Sequence, residues 1–141
     1  MTEQIILRVV TKLILPFILL FALYVQFHGD YGPGGGFQAG VIFAAGFILY
    51  GLVAGLRALR RVAPSRIIES LFAVGILIYA GTGVLAMFRG GNFLDYGALN
   101  HHDPVHGQHW GMLAIELGVG VTVAAVLITI FVAFADRERQ K

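Results

Sequence analysis

The chain has 141 residues, of which 57% are hydrophobic and only 13% are charged. Soluble domains carry about 25% charged residues, so this composition excludes a soluble domain and predicts an integral membrane protein. The lack of cysteine excludes disulfides, thiolate metal sites and a cysteine nucleophile. The small net charge of +2 reports membrane topology rather than nucleic-acid binding, because basic residues of membrane proteins lie in loops and at the ends of spans.

Four segments are apolar over the length of about 20 residues that a helix needs to cross a bilayer. The predicted spans are residues 5–27, 38–56, 67–88 and 112–134. We therefore predict an all-α integral membrane protein with four transmembrane helices. The short connections favour antiparallel neighbours, and we expect residues 1–141 to form a single transmembrane domain.

The first span has two unusual features. Arg8 and Lys12 lie near its start, where long basic side chains can reach the headgroups of a cytoplasmic surface. Pro16 lies inside it and predicts a kink, because proline removes a backbone hydrogen bond. A signal peptide is the competing interpretation, although no small-residue cleavage site follows the apolar stretch.

Basic residues are concentrated on one side of the predicted bundle. Those on that side are Arg8, Lys12, Arg57, Arg60, Arg61, Arg66, Arg137, Arg139 and Lys141. The two connections on the other side hold Arg89 alone. Because Lys and Arg collect in cytoplasmic loops, both termini are predicted to be cytoplasmic, with residues 28–40 and 89–111 on the outer side.

The connection between the first two spans is rich in glycine. Its motif runs in order through Pro33, Gly34, Gly35, Gly36, Phe37 and Gln38. Glycine loses more backbone freedom on folding than any other residue, so three in a row indicate a need for positive φ, close backbone approach or exposed N–H groups. A phosphate-binding loop is excluded because no lysine follows the last glycine and no βαβ unit surrounds it.

Two interpretations of this connection stay open. In the first it is a packing device, because Gly36, Gly40 and Ala44 recur every four residues and small residues at this spacing let membrane helices approach closely. Gly51 and Gly55 have the same spacing.

In the second interpretation the connection lines an ion or proton route. Irregular backbone is tolerated at membrane depth where protein or a water-filled cavity surrounds it. His28 can carry protons near neutral pH, and Asp30 lies two residues further along. The alternative for His28 is an interfacial histidine at a helix end.

Residues 28–40, followed by the apolar segment 41–55, resemble the signature of the B subunit of Mrp-type multisubunit Na⁺/H⁺ antiporters, the MnhB family. That family has a Pro-Gly-Gly-Gly-Phe-Gln motif after its first helix, preceded by a histidine, and Pro33 to Gln38 match it directly. His28 lies five residues before Pro33, further than in the family's usual pattern. The resemblance extends to the chain length, the four spans and the longer outer connection before the last span.

The resemblance implies a non-catalytic integral membrane subunit of a monovalent cation (Na⁺)/proton antiporter complex, needed for assembly and antiport. It implies a multi-pass protein of a prokaryotic plasma membrane, without a cofactor, whose partners are the other subunits and the lipid bilayer. Na⁺ and H⁺ would be the transported ions of the complex. The motif from Pro33 to Gln38, together with Gly40, would form a subunit contact.

Three other functions were compared with this one. The main alternative is the equivalent subunit of a membrane-bound hydrogenase or related energy-converting respiratory complex. A stand-alone channel is disfavoured by the few charges inside the spans, since a transporter needs a site for its ion. A membrane enzyme has the least support, because no nucleophile–base pair or cofactor motif is present.

Two acidic residues lie within the predicted spans or at their ends. Glu116 is in the outer half of the fourth span, where an ionised acid is costly and usually faces a bundle interior or a polar pathway. It is a candidate proton or cation ligand, and the alternative is a hydrogen-bonded contact between helices. Glu69 lies three residues after Arg66, which predicts a surface ion pair.

The outer connection is rich in histidine. It contains His101, His102, Asp103, His106 and His109, followed by Trp110. Histidine with carboxylate is a plausible metal set, but adjacent histidines do not easily converge and no His-Glu-x-x-His motif is present, so we predict no metal site. We expect this connection to contact another subunit, and a proton-collecting surface is the alternative.

Overall fold

The computed structural model describes residues 2–29, 32–100 and 102–139, and within them every regular element is helical. The helices are α1 (Thr2–His28), α2 (Gly36–Ala54), α3 (Leu56–Val62), α4 (Ser65–Phe88) and α5 (Pro104–Arg139), with a 3₁₀ turn at Tyr96–Leu99. Among these residues α1, α2, α4 and α5 are long and apolar enough to cross a membrane. The predicted all-α class is therefore confirmed, and so is the prediction of four helices long and apolar enough to cross a membrane.

Helix α5 is the centre of the bundle. It packs along α2 on one side and along α4 on the other, while α1 packs mainly on α2. The spatial order is therefore α1, α2, α5, α4, with α1 and α4 at opposite edges. Helix α1 is assigned as one helix through Pro16.

Helix α2 ends earlier than predicted, at Ala54 rather than at residue 56. Gly55 adopts φ 90° and ψ 156°, which stops the helix, and a β-carbon on it would have no neighbour within 4 Å. Gly55 is therefore required for its backbone conformation, and its pairing with Gly51 as a helix-packing motif was wrong. Gly51 does pack closely, against Phe131 and Leu59.

Helix α5 begins earlier than predicted, at Pro104 rather than at residue 112. Asp103 caps it, because its Oδ1 accepts hydrogen bonds from the backbone N–H groups of Val105 (3.1 Å) and His106 (3.2 Å). Aspartate before a helix and proline at its first position are the preferred residues there. About a third of the predicted outer connection 89–111, namely residues 104–111, is therefore the start of a helix.

The core is compact and lies toward the end of the bundle where α3 is found. Leu59 of α3 is completely buried, and the other members of this cluster are Ala44, Ala63, Ile68, Ala125 and Ile128. Arg60 of α3 forms an ion pair with Asp136 near the end of α5, so α3 and the last turns of α5 lie at the same end. Among the described side chains Arg66 and Glu69 form no ion pair, and that prediction was wrong; an exposed pair of this kind gains little energy.

Candidate functional site around Glu116

The glycine-rich connection folds back on the last turn of α1. The N–H of Gly35 donates a hydrogen bond to the carbonyl of Val25 (3.2 Å), and the N–H of Gly32 donates to the carbonyl of His28 (3.2 Å). Gly35 precedes α2 with φ 121° and ψ 175°, a backbone region that is essentially restricted to glycine. A β-carbon on Gly34 would lie 2.8 Å from the Val25 carbonyl oxygen, so this turn leaves no room for a side chain there.

The Glu116 side chain of α5 lies against this turn. A β-carbon on Gly29 would be 2.5 Å from its Oε1 and 2.6 Å from its Oε2, and one on Gly35 would be 3.1 Å from Oε1. A β-carbon on Gly36 would overlap the backbone carbonyl oxygen of Glu116. Three glycines therefore make the space that the carboxylate and its backbone occupy.

This arrangement has an electrostatic consequence. Gly35 and Gly36 form the start of α2, and the start of a helix carries the positive end of its dipole. A negative charge on Glu116 is therefore stabilised by the helix against which it lies. Glu116 is half-buried, so its surroundings combine protein contact with some access from outside.

The close contact between α2 and α5 continues beyond Glu116. A β-carbon on Gly40 would lie 2.6 Å from the carbonyl oxygen of Gly120, and one on Gly120 would lie 2.5 Å from Oε1 of Gln26. The backbones of the two helices therefore touch where ordinary helices are separated by side chains. Ala44 continues this face of α2 and is fully buried.

Gln26 of α1 is a polar residue that the sequence analysis missed. Its side chain is only 6% exposed, and within the described part of the chain its Nε2 has no hydrogen-bond acceptor. It lines a largely apolar cavity of about 350 Å³, which is also lined by Ala39, Gly40 and Gly120. The signal available in the sequence was a single amide in the apolar stretch 13–27 of the first span.

His28 lies at the same turn. It is half-buried and stacks on Tyr24 with ring centroids 5.1 Å apart, and a β-carbon on Gly32 would lie 3.2 Å from its Nε2. His28 and Glu116 therefore contact the same glycine-rich connection, at Gly32 and at Gly29 and Gly35 respectively. Asp30 lies outside the described residues.

The other side chains of the motif are exposed. Phe37 is 61% exposed and Pro33 is also exposed. Gln38 is exposed, although a β-carbon on Gly35 would lie 3.6 Å from its Oε1. The glycines of the motif thus build the interior of the turn, while Pro33 and Phe37 present its outer surface.

The connection between α4 and α5 is folded onto both helices. The ring of Phe93 occupies the space beside Gly83 of α4, and the ring of Tyr96 lies beside Gly111 of α5. Burial, and to a smaller extent Tyr79, raises the pKa of Tyr96. Arg89 donates a hydrogen bond from Nη1 to the carbonyl of Leu99 (2.6 Å).

The histidines of this region do not form a cluster. His102 and His106 are exposed, His109 stacks edge-on against Trp110, and His101 lies outside the described residues. His106 Nδ1 is 3.0 Å from Asp103 Oδ2, and the hydrogen bond from the His106 backbone, followed by that from its ring, lowers the pKa of Asp103. Among the described residues no group of three His, Asp or Glu side chains could hold a metal ion.

Comparison with known proteins decides the family. The family described as "Domain related to MnhB subunit of Na+/H+ antiporter" matches residues 6–129. The chain belongs to the MnhB family. It is 35% identical over 135 residues to a protein of Staphylococcus haemolyticus named antiporter subunit mnhB2, and the match covers 94% of this chain and 95% of that protein. Proteins of the same name from Staphylococcus aureus strains Newman and NCTC 8325 are 33% identical over the same lengths.

MnhB membership supports the sodium/proton antiporter subunit that the motif predicted, and not the hydrogenase-type alternative. It also agrees with a transporter subunit rather than an enzyme. Two glycines of the family-like motif, Gly35 and Gly36, contact Glu116, a residue about 80 positions later in the chain. Nothing in the local sequence pattern indicates that the motif and Glu116 meet.

Proposed function

We propose that this chain is the MnhB-type membrane subunit of a multisubunit monovalent cation/proton antiporter, and that the pocket around Glu116 lies on the proton or cation path of that complex. The observation that carries the second part is the contact of the Glu116 carboxylate with Gly29 and Gly35. The subunit catalyses no covalent chemistry, and the complex transports Na⁺ in exchange for H⁺.

The chemistry of the pocket supports this role. A carboxylate inside a membrane protein is costly unless it faces a partner or a polar pathway, and a non-helical turn at that depth is tolerated where it is enclosed by protein or lines a cavity. A carboxylate beside the start of a helix can hold a monovalent cation or a proton and release either one. His28 lies on the same connection and can exchange protons near neutral pH, and Asp30 belongs to the same segment.

The proposed placement follows from charge. The whole chain forms one MnhB-like domain that crosses the prokaryotic plasma membrane four times, with both termini in the cytoplasm. Arg89 is the sole basic residue of the two outer connections, as the preference of Lys and Arg for cytoplasmic loops requires. The ion pair between Arg60 and Asp136 supports placing α3 and the end of α5 on one side. The Glu116 pocket then opens toward the outer side.

The test of the Glu116 role is Glu116→Gln in the assembled complex, with antiport measured in everted membrane vesicles as the collapse of a proton gradient on adding Na⁺. We expect antiport to fall at least about tenfold with normal complex yield, because glutamine keeps the shape and removes the exchangeable charge. Glu69→Gln is the matched control, since Glu69 is an exposed carboxylate in the first turns of α4. Full antiport in the Glu116→Gln complex would remove Glu116 from the path.

The outer surface of the turn supports a separate proposal, that Pro33 and Phe37 contact another subunit. Phe37 is 61% exposed and directly follows Gly34, Gly35 and Gly36. We expect Phe37→Ala to lower the yield of intact complex several-fold while leaving the level of this chain unchanged, as measured by co-purification through a C-terminal tag. Phe88→Ala is the control. Phe88 is 86% exposed and lies at the end of α4, on the same side of the bundle as Phe37. Equal yields in the two variants would contradict a contact at Phe37.

A further inference from the structure

A second pocket lies between α1 and α2, at the end of the bundle opposite Glu116. It has a volume of about 230 Å³ and is lined by Arg8, Thr11, Lys12, Tyr50, Val53 and Ala54. Four of these six side chains carry hydrogen-bond donors, and two of the four are cations. The proposed antiport path does not use this pocket.

Within the described part of the chain, the two cations of the pocket form no ion pair. Arg8 and Lys12 lie four residues apart on α1, so they share one face of the helix and repel each other. Among the described side chains the ion pairs are Arg60 with Asp136 and His106 with Asp103, and neither pair involves this pocket. An anion bound between Arg8 and Lys12 would remove the repulsion.

Thr11 provides an independent sign that the pocket receives a ligand. Ser70, Thr82, Thr122 and Thr129 each donate a hydrogen bond to the backbone carbonyl four residues earlier. Thr11 is only 5% exposed, yet no hydrogen bond of its hydroxyl is present among the described residues. Because Thr11 lines the pocket, its hydroxyl is available to donate a hydrogen bond to a group bound there.

We propose that this pocket binds the phosphate group of an anionic membrane lipid. Guanidinium, ammonium and hydroxyl groups are all donors, and a phosphodiester provides charged oxygens that accept from them with short, strong hydrogen bonds. Basic pockets between membrane helices on the cytoplasmic side are suited to anionic headgroups. Inorganic phosphate shares this chemistry, but the face of α1 that carries Thr11 and Lys12 continues four residues later with two apolar residues, the half-buried Leu15 and the exposed Pro16. This apolar continuation fits the acyl chains of a lipid.

The test uses the full chain, together with the subunits that co-purify with it, extracted in mild detergent and stripped of bound lipid. Phosphatidylglycerol, phosphatidylcholine or inorganic phosphate is then added, and bound species are counted by native mass spectrometry. We expect phosphatidylglycerol to bind and inorganic phosphate not to displace it. Equal binding of phosphatidylcholine would overturn the anionic preference, and displacement by inorganic phosphate would assign the pocket to the free ion.

Substitution locates the bound lipid. Arg8→Gln with Lys12→Gln is expected to weaken phosphatidylglycerol binding at least about tenfold, since each basic residue near an anionic headgroup contributes roughly a fivefold factor. Arg57→Gln with Arg61→Gln is the matched control, because these arginines are exposed near the same end but do not line the pocket. Equal losses in the two double variants, or no loss in the first, would overturn the proposal.

Two further variants guard against a loss that merely reflects misfolding. Arg8→Lys with Lys12→Arg keeps both charges and should keep most of the binding. Thr11→Val with Tyr50→Phe keeps the shape and removes both hydroxyl donors, and it should weaken phosphatidylglycerol binding a few-fold. Unchanged binding in this hydroxyl variant would contradict the direct contact that the pocket geometry implies.

Discussion

Helix α2 packs against two neighbours in two different ways. On the face toward α5, a β-carbon on Gly40 would lie 2.6 Å from the backbone oxygen of Gly120. On the face toward α1, a β-carbon on Gly46 would lie 3.1 Å from Cδ2 of Leu19 and 3.4 Å from Ile18 and Leu15. The same residue type therefore meets rigid backbone on one face and the ends of flexible side chains on the other.

This difference between the two faces of α2 indicates which contacts hold the bundle together. In lipid there is little hydrophobic force between helices, so close packing and interhelical hydrogen bonds decide association. The contact of α2 with α5 has the closer backbone approach and carries the Glu116 pocket. Helix α1 lies at the edge, and its apolar side chains such as Leu20 (62% exposed) and Phe27 (60% exposed) face away from the rest of the chain.

The largest effect is expected from a matched pair of substitutions in α2. Gly40→Ala should lower the free energy of unfolding by about 3 kcal/mol, because the backbone of α5 would have to move to admit the methyl group. Gly46→Ala should be nearly neutral, because Leu19 can shift and alanine favours the helix by up to about 1 kcal/mol. Thermal unfolding of both variants in detergent measures the difference. Similar destabilisation by the two would show that the two faces of α2 do not differ as described.

A glycine outside both contacts separates conformational strain from crowding. Gly55 has φ 90° and no neighbour within 4 Å of an added β-carbon, so Gly55→Ala should cost about 1–2 kcal/mol through backbone strain alone. Gly81 also has no neighbour within 4 Å of an added β-carbon but lies inside α4, and Gly81→Ala should be neutral or slightly stabilising. Unfolding measured in parallel tests this; a neutral Gly55→Ala would mean that the end of α2 adapts without strain.

The smallest effect is expected at the start of α5, outside both contacts of α2. Hydrogen bonds from His106 lower the pKa of Asp103, so the folded state binds the proton less tightly than the unfolded chain. The ionised carboxylate therefore stabilises the fold above the ordinary carboxyl pKa of about 3.9, and this contribution is lost as the pH falls through the lowered pKa. Asp103→Asn, which keeps a capping oxygen without the charge, should lower the melting temperature slightly at pH 7.

The pH dependence is the check on that prediction. The difference in melting temperature between Asp103→Asn and the unchanged chain at pH 7 should fade only once the pH is lowered below about 4 toward 3, where the carboxyl group of the unchanged chain takes up a proton. Asp103→Ala, which removes the cap oxygen as well, should stay less stable at both pH values. A constant difference for Asp103→Asn at every pH would contradict a role for the carboxylate charge.

Much of the fold could be predicted because it depends on composition and local pattern. Long apolar runs such as 67–88 identify membrane-spanning helices, since a spanning backbone must satisfy its own hydrogen bonds. The start of α5 was predicted too late because apolarity was weighed above the Asp103–Pro104 pair, although that pair is a recognised helix start. Gly55 was grouped with packing glycines because sequence spacing does not distinguish close approach from positive φ.

Hydrophobic length and a rare glycine-rich motif are local properties. The sequence alone therefore predicts four helices that are long and apolar enough to cross a membrane and a motif typical of the MnhB family. Three arrangements are visible in the folded chain and not in its sequence: Gly29, Gly35 and Gly36 surround Glu116, Gln26 is buried without an acceptor among the described residues, and Arg8 and Lys12 share a pocket with Tyr50. These arrangements join residues far apart in the chain, and the close approach of helix backbones that creates them depends on the packing of whole helices.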